Sequence, residues 1–394
     1  MALYISEHSV AAWQNFAKAA QFVPDPMIIR AGEVFANGAK GANALGRPDM
    51  DVLAALRDNI DGLIEFFDLL VAYDQVPLIN YDYTFDIQSM PAPITNLLGA
   101  KALPVTIGYD AYRQIKTGAV ASLATMKLGH IAQFGHQLAE LNALRYDWRP
   151  SLQDANAEGW LSEAEQLNEP TRLAAQFLLG GLIFSGFAQA SLTEHIIQPK
   201  RSRFFLALTA EQPIASAVTH ADEHSVFSAA EKALRGTAAK TRRLDALPPV
   251  LPYLLAKAPP NLTSVDLLKR ALDFANTKDG DNFRKAVALV RGDGVGASQT
   301  ADLAKAAKAE AVALLKPYST VADTEGGLKL DFNLELTGPS VTASLPLKPP
   351  AWLKLWWNEN VPFGGMRKTF RRMWLAQESF EDVEKRLIAA WAQP

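Results

Sequence analysis

The chain has 394 residues, of which 49% are hydrophobic and 21% charged, as is typical of a soluble globular protein with two or three domains. Its formal net charge of −3 provides no strong overall field for binding nucleic acid or an anionic membrane. The absence of cysteine excludes disulfides, thiolate nucleophiles, Fe–S clusters and cysteine-ligated zinc.

Helical patterns dominate the chain. In 50–72 (MDVLAALRDNIDGLIEFFDLLVA), apolar residues recur mostly at steps of three and four, which predicts a long amphipathic helix. Patterns of the same kind predict further helices over 9–20, 109–127, 130–145, 162–195, 220–235, 264–276, 281–290 and 299–315. The sequence therefore predicts a mainly helical protein.

The segment 173–193 (LAAQFLLGGLIFSGFAQASLT) contains no charged residue. About 20 apolar residues are enough to span a bilayer, and the cationic QPKRSR that follows would favour such an interpretation through the positive-inside rule. However, two glutamines interrupt the run, and Gly181, Ser185 and Gly186 would let another helix approach closely, as in a dense soluble core. We therefore expect a central buried helix, with a membrane span as the alternative.

Strand patterns are fewer. Short strands are predicted over 76–85, 103–107 and 204–208. In 328–336 (LKLDFNLEL), apolar and polar residues alternate strictly, the turn sequence TGPS follows, and 341–347 alternates again. This pattern predicts an antiparallel β-hairpin, whose second strand lies at an edge because it contains a proline.

Together these patterns predict an α+β, predominantly helical fold with a C-terminal antiparallel hairpin and an aromatic-rich helix. We expect three regions: 1–150, helical with a few short strands; 151–320, helical around the buried apolar helix; and 321–394, the hairpin plus a Trp- and Arg-rich helix. The segment 245–261, which contains five prolines, resembles a rigid elbow.

The sharpest chemical motif lies in THADEHS (219–225). His220, Glu223 and His224 have the spacing H-x-x-E-H. Two histidines four residues apart share one helix face, so both could bind one Zn²⁺ while the glutamate acts as a general base on a bound water. The motif resembles that of the insulysin-like zinc peptidases, in which it lies near the N-terminus of an α/β domain and a further glutamate lies well downstream.

A second interpretation explains the same residues as a helix start. Thr219 is a good N-cap, and Asp222, three residues later, gives a start similar to a capping box. Acidic residues in a first turn also suit the positive end of the helix dipole. A zinc site needs a third protein ligand, which Glu194 or His195 would have to supply through the fold. We therefore predict no cofactor, with zinc as the alternative.

The C-terminal block 351–380 is rich in tryptophan and arginine. Such mixtures stack on nucleic-acid bases, lie at a membrane interface or dock a protein partner. Alternatively, the aromatic residues pack the hairpin onto the helical body while the cations extend outward. The candidate partner-binding residues are Trp356, Trp357, Arg367, Phe370, Arg371 and Trp374.

No complete catalytic set accompanies this block, so the sequence favours a non-enzymatic interaction or assembly component. We expect a protein partner or self-association, with nucleic acid less favoured. The start of the sequence lacks a secretory pattern, which predicts a bacterial cytoplasmic protein. Two alternatives remain open: a zinc-dependent hydrolase centred on 220–224, and a membrane-associated protein spanning at 173–193.

Overall fold

A computed structural model describes part of the chain. The described residues are 21–42, 56, 59–81, 92–107, 109–124, 169–191, 193–199, 201, 247–291, 365–376 and 380–393. Most of them are helical. The helices are α1 (Pro26–Ala42), α2 (Ile60–Ala72), α3 (Ala92–Leu98), α4 (Tyr109–Ala124), α5 (Glu169–Ala190), α6 (Val250–Lys257), α7 (Ser264–Ala275), α8 (Lys278–Arg291), α9 (Gly365–Leu375) and α10 (Phe380–Ala392). This confirms the prediction of a predominantly helical protein.

The chain divides into two compact units. The first unit comprises Met1–Asn37, Gly41–Phe66 and Gln75–Ala239. The second unit comprises Gly38–Lys40, Phe67–Asp74 and Lys240–Pro394. Each has its own buried aromatic core: the first includes Phe22, Phe35, Phe66, Phe177, Phe184 and Phe187, and the second includes Tyr253, Phe274, Phe283, Phe370, Trp374 and Trp391.

The described strands all lie in the first unit and form two parallel pairs. β1 (Phe22–Pro24) pairs with β4 (Glu194–Ile196), and β2 (Val76–Tyr81) pairs with β3 (Ala102–Ile107). Parallel neighbours require a crossover connection, and helices separate the members of both pairs in sequence. The strands predicted over 76–85 and 103–107 correspond to β2 and β3, with 82–85 outside the described residues, whereas β1 and β4 were not predicted.

Helix α5 is the central buried helix that the apolar run predicts. Ala174, Phe177, Leu178 and Ile183 are each at most 1% exposed. The prediction extended the helix to residue 195, which is wrong, because the helix ends at Ala190 and the chain then enters β4. None of the helices in the described ranges, α5 included, is both long enough and apolar enough to cross a membrane.

The described part of the second unit is helical. Helix α7 begins after Thr263, whose Oγ1 accepts the N–H of Asp266 at 3.1 Å. Helix α8 begins after Thr277, whose Oγ1 accepts the N–H of Gly280 at 3.1 Å. Helix α6 occupies the segment predicted as a rigid elbow, and Pro249 is its N-cap residue, where the missing N–H costs no helical bond.

Several predictions fall outside the described residues. These are the helices over 9–20, 130–145, 220–235 and 299–315, the strand over 204–208, and the antiparallel hairpin formed by 328–336 and 341–347. The described strands are parallel, in contrast to the antiparallel pairing expected for that hairpin.

Candidate functional site

The residues of the zinc motif, His220, Glu223 and His224, lie outside the described residues. The two residues considered as a third ligand, Glu194 and His195, lie on β4. The side chain of His195 is 1% exposed, and its Nδ1 atom is 2.8 Å from the hydroxyl oxygen of Ser185.

The candidate partner-binding residues divide into two groups. Trp356 and Trp357 lie outside the described residues, and of Arg367 the structure describes only the backbone in the first turn of α9. By contrast, three candidates further along α9 are buried in the second unit: Phe370 is 0% exposed, Arg371 5% and Trp374 3%. On this helix the aromatic side chains pack into the core, and the cation Arg371 is buried with them rather than extended outward.

In the first unit, an ion pair that the sequence did not predict joins Asp25 to Arg201. Asp25 directly follows β1, and its backbone N–H donates to the carbonyl of Ile196 on β4 at 2.8 Å. The Nη1 atom of Arg201 lies 2.6 Å from both carboxylate oxygens of Asp25. Both side chains are 0% exposed, and the guanidinium carbon lies 4.5 Å from the ring centre of Phe177.

Hydrogen bonds from neighbouring residues surround this pair. The backbone N–H groups of Met27 and Gln198 donate to the Asp25 carboxylate at 3.0 and 3.2 Å. The side chain of Gln198 accepts from the backbone N–H of Arg201 at 2.8 Å and donates to Asn59 at 3.2 Å. Asn59 in turn donates to the carbonyl of Met27 at 3.0 Å. Such bonds offset the cost of burying two charges.

His195 lies near this pair in an enclosed position. Its ring lies 6.5 Å from that of Phe184, with 27° between the two planes. Burial lowers the pKa of His195 to about 4, with Asp25 raising it in part and Arg201 lowering it further. The imidazole is therefore neutral at pH 7. Its Nε2 atom has no hydrogen-bond partner among the described residues.

The second unit contains a polar cluster centred on Asp279, in the first turn of α8. Its Oδ1 atom accepts hydrogen bonds from Thr369 and Arg372 on α9, both at 2.8 Å. Its Oδ2 atom accepts from the hydroxyl of Tyr253 on α6 at 3.4 Å. Asn282 donates to the hydroxyl of Thr369 at 2.9 Å. One carboxylate thus joins three helices.

Lys257, at the end of α6, extends this cluster to the surface. Its amine donates to the hydroxyl of Tyr253 and lies 4.1 Å from the centre of the same ring. Lys257 as a whole residue is exposed, although its Nζ end rests on the tyrosine. Burial of that end lowers the pKa of Lys257, while Asp279 raises it and Arg372 lowers it. Burial, reinforced by Asp279, raises the pKa of Tyr253.

The two clusters differ in their access to solvent. In the first unit, Asp25 and Arg201 are fully enclosed and bond to each other, so they hold β1, β4 and the following chain in one arrangement. In the second unit, Arg372 is 28% exposed and Lys257 is exposed, so a small molecule can approach both. Only the second cluster therefore offers polar groups to a solute.

No sequence pattern indicates the first cluster, because its ion pair joins residues 176 positions apart. For the second cluster a signal exists. Tyr253 and Lys257 are four residues apart in YLLAK, which places both on the same face of a helix. The five prolines around this stretch indicated an elbow instead, and the pair was missed.

The described residues contain no group of three or more His, Asp or Glu side chains arranged to hold a metal ion. Comparison with known proteins identifies no family: no protein-family model, no curated protein and no solved structure matches the chain.

Proposed function

We propose that the protein is a non-enzymatic interaction or assembly component of the bacterial cytoplasm, with a partner surface next to α9. The observation that carries this proposal is the anchoring of α9. Its residues Phe370, Met373 and Trp374 are at most 3% exposed, so the helix is fixed in the second unit. The tryptophan-rich segment 351–364 leads directly into this fixed helix.

Burial of the α9 aromatic residues narrows the set of contact residues. Trp356, Trp357 and Arg367 remain as the partner-binding candidates, because Phe370, Arg371 and Trp374 are buried. Aromatic residues and arginine supply most of the binding energy at protein interfaces, which suits this composition. The predicted hairpin over 328–347 precedes this segment in sequence and belongs to the same proposal.

The net charges of the two units support the proposal that the binding partner presents an acidic surface. The second unit has 23 Lys and Arg residues against 19 Asp and Glu, a net charge of +4. The first unit has 16 against 23, a net charge of −7, and the two sum to the −3 of the whole chain. A cationic unit attracts acidic surfaces, on another protein or on a second copy of this chain.

The enclosed position of the first cluster also favours a non-enzymatic function. A catalytic group must reach its substrate, whereas Asp25, Arg201 and His195 are each at most 1% exposed and bonded within the first unit. Their arrangement fixes the fold around β1 and β4.

The test compares the wild type with a variant carrying Trp356→Ala, Trp357→Ala and Arg367→Ala. Both are isolated with their bound proteins from native cells, and self-association of the purified chains is measured by sedimentation at several salt concentrations. We expect the variant to lose its partner or its self-association. In the wild type, binding should weaken with salt, because exposed charges are screened.

The matched control is Lys269→Ala with Arg270→Ala, which removes two exposed cations from α7. This control should bind as the wild type does. Circular dichroism should show that both variants remain folded. The proposal fails if the tryptophan variant retains every partner and the same self-association.

A further inference from the structure

The amine of Lys257 occupies an unusual position for an exposed lysine, because its Nζ end rests on an aromatic ring and on a phenol within a charged cluster. From this arrangement we propose that Lys257 is a carbonyl-reactive amine, which forms an imine with small anionic aldehydes. The inference is independent of the proposed partner surface, because it concerns α6, α8 and the Arg372 end of α9.

A line of hydrogen bonds provides a route for protons. The amine contacts the hydroxyl of Tyr253, and that hydroxyl donates to Asp279 at 3.4 Å. Thr369 and Arg372 hold the Asp279 carboxylate through its Oδ1 atom. Its Oδ2 atom is thereby oriented to accept from the phenol. The phenol therefore lies between the reacting nitrogen and a fixed acceptor, as a proton-transferring group requires.

The surroundings favour the uncharged, nucleophilic form of the amine. Burial of the Nζ end lowers the pKa of Lys257, and the nearby cation Arg372 adds to this, against the opposite effect of Asp279. A larger fraction of Lys257 is therefore neutral at pH 7 than of a fully hydrated lysine. Desolvation and a neighbouring cation are the two means by which proteins activate lysine nucleophiles.

The charge of the cluster favours an anionic carbonyl compound. When its amine is protonated, Lys257 and Arg372 together carry two positive charges against the single negative charge of Asp279. An aldehyde that also bears a carboxylate is therefore attracted to this surface. Arg372, 28% exposed, can donate to such a carboxylate from the part of its guanidinium not bonded to Asp279.

Imine formation needs no reagent other than the Lys257 amine and the aldehyde. The neutral amine attacks the aldehyde carbon, a C–N bond forms, and the carbonyl oxygen receives a proton. The resulting carbinolamine then loses that oxygen as water, and both protons of the water derive from the amine nitrogen. Tyr253 transfers protons from nitrogen to oxygen and is unchanged at the end.

The test uses the full-length protein with glyoxylate, an aldehyde with a carboxylate, and sodium cyanoborohydride to reduce the imine. Peptide mass spectrometry measures the labelling rate of each lysine at pH 7. Lys269 and Lys285 are matched comparators, because both are exposed. We expect Lys257 to react at least about threefold faster than either. Labelling of Lys257 no faster than that of Lys269 would overturn the proposal.

A Tyr253→Phe variant examines the role of the phenol, because it keeps the ring under the amine and removes only the hydroxyl. We expect Lys257 in this variant to lose most of its rate advantage, with the comparator lysines unchanged. An unchanged advantage would overturn the proton-transfer role of Tyr253. The unchanged comparator rates also show that the variant remains folded.

Discussion

At the residue scale, the first prediction concerns the buried pair of Asp25 and Arg201. Arg201→Met leaves the Asp25 carboxylate buried without its cation, so we expect the free energy of unfolding to fall by about 3–5 kcal/mol. Urea denaturation followed by circular dichroism measures this change. The 2.6 Å distance and the complete burial of both side chains are the reasons for the large effect.

A double variant measures the energetic coupling between the two side chains of the pair. Asp25→Asn combined with Arg201→Met removes both charges, so its cost should be smaller than the sum of the single costs by at least about 1 kcal/mol. Lys285→Ala is the control, because its ion pair with Asp281 is exposed and contributes little. Strictly additive effects of the two buried substitutions would contradict a coupled pair.

The second residue-scale prediction concerns pH and His195. Its pKa is about 4 in the folded protein, against 6.5 for the ordinary value, so the unfolded chain binds the proton more readily. Above pH 6.5 this group costs no stability. As the pH falls from 6.5 to 4, the folded state loses up to about 3 kcal/mol from this group, at about 1.4 kcal/mol per pH unit.

The measurement is the free energy of urea unfolding between pH 4.5 and 7.5, for the wild type and for His195→Gln. Other acidic groups affect both proteins alike, so the difference between the two curves isolates the histidine. The curve of the variant should be flatter in this range. If the two curves run parallel, His195 is not a buried neutral base.

At the element scale, the contact between α4 and α5 depends on a glycine. A Cβ atom added to Gly186 on α5 would lie 2.7 Å from the Cγ2 atom of Ile115 on α4. Gly186→Val is therefore expected to destabilise the protein by about 1–3 kcal/mol through overpacking. Thermal unfolding monitored by circular dichroism measures the loss.

Gly118 on α4 is the matched control for this prediction, because a Cβ added there meets no atom of the described residues within 4 Å, apart from its own helix backbone and chain neighbours. Gly118→Ala should leave stability unchanged or raise it by up to about 1 kcal/mol, since alanine is the better helix former. Combining Gly186→Val with Ile115→Ala should cost less than the sum of the two. Equal effects at both glycines would show that α4 and α5 do not pack closely.

The same elements show how much of the fold could be predicted from the sequence. The long apolar run predicted α5, and the three- and four-residue steps predicted α2 and α7, because one face of each packs in a core. Helices α1 and α6 were missed, since Pro26 and Pro249 resemble loop signals although both stand at helix starts. Strands β1 and β4, each of three residues, are too short for a two-residue period to be recognised.

At the scale of the whole molecule, the candidate sites were harder to predict than the helices. A local pattern places Tyr253 beside Lys257 on α6, but Asp279 and Arg372 reach them only because α8 and α9 pack together. Likewise, Asp25 meets Arg201 only through the pairing of β1 with β4. Contacts between distant segments depend on the topology of the fold, about which a single sequence contains little information.

The last prediction concerns the metal content of the whole protein. Material purified without an affinity tag is expected to contain much less than one zinc per chain by elemental analysis. The interpretation of Thr219 and Asp222 as a helix start predicts this result, because it gives the 220–224 motif a role that needs no metal. One zinc per chain that is lost in His224→Ala, and retained when His136, a histidine outside the motif, is replaced by alanine as the control, would contradict this expectation. That outcome would favour a zinc hydrolase over an assembly component, because paired histidines with a glutamate supply two ligands and a general base.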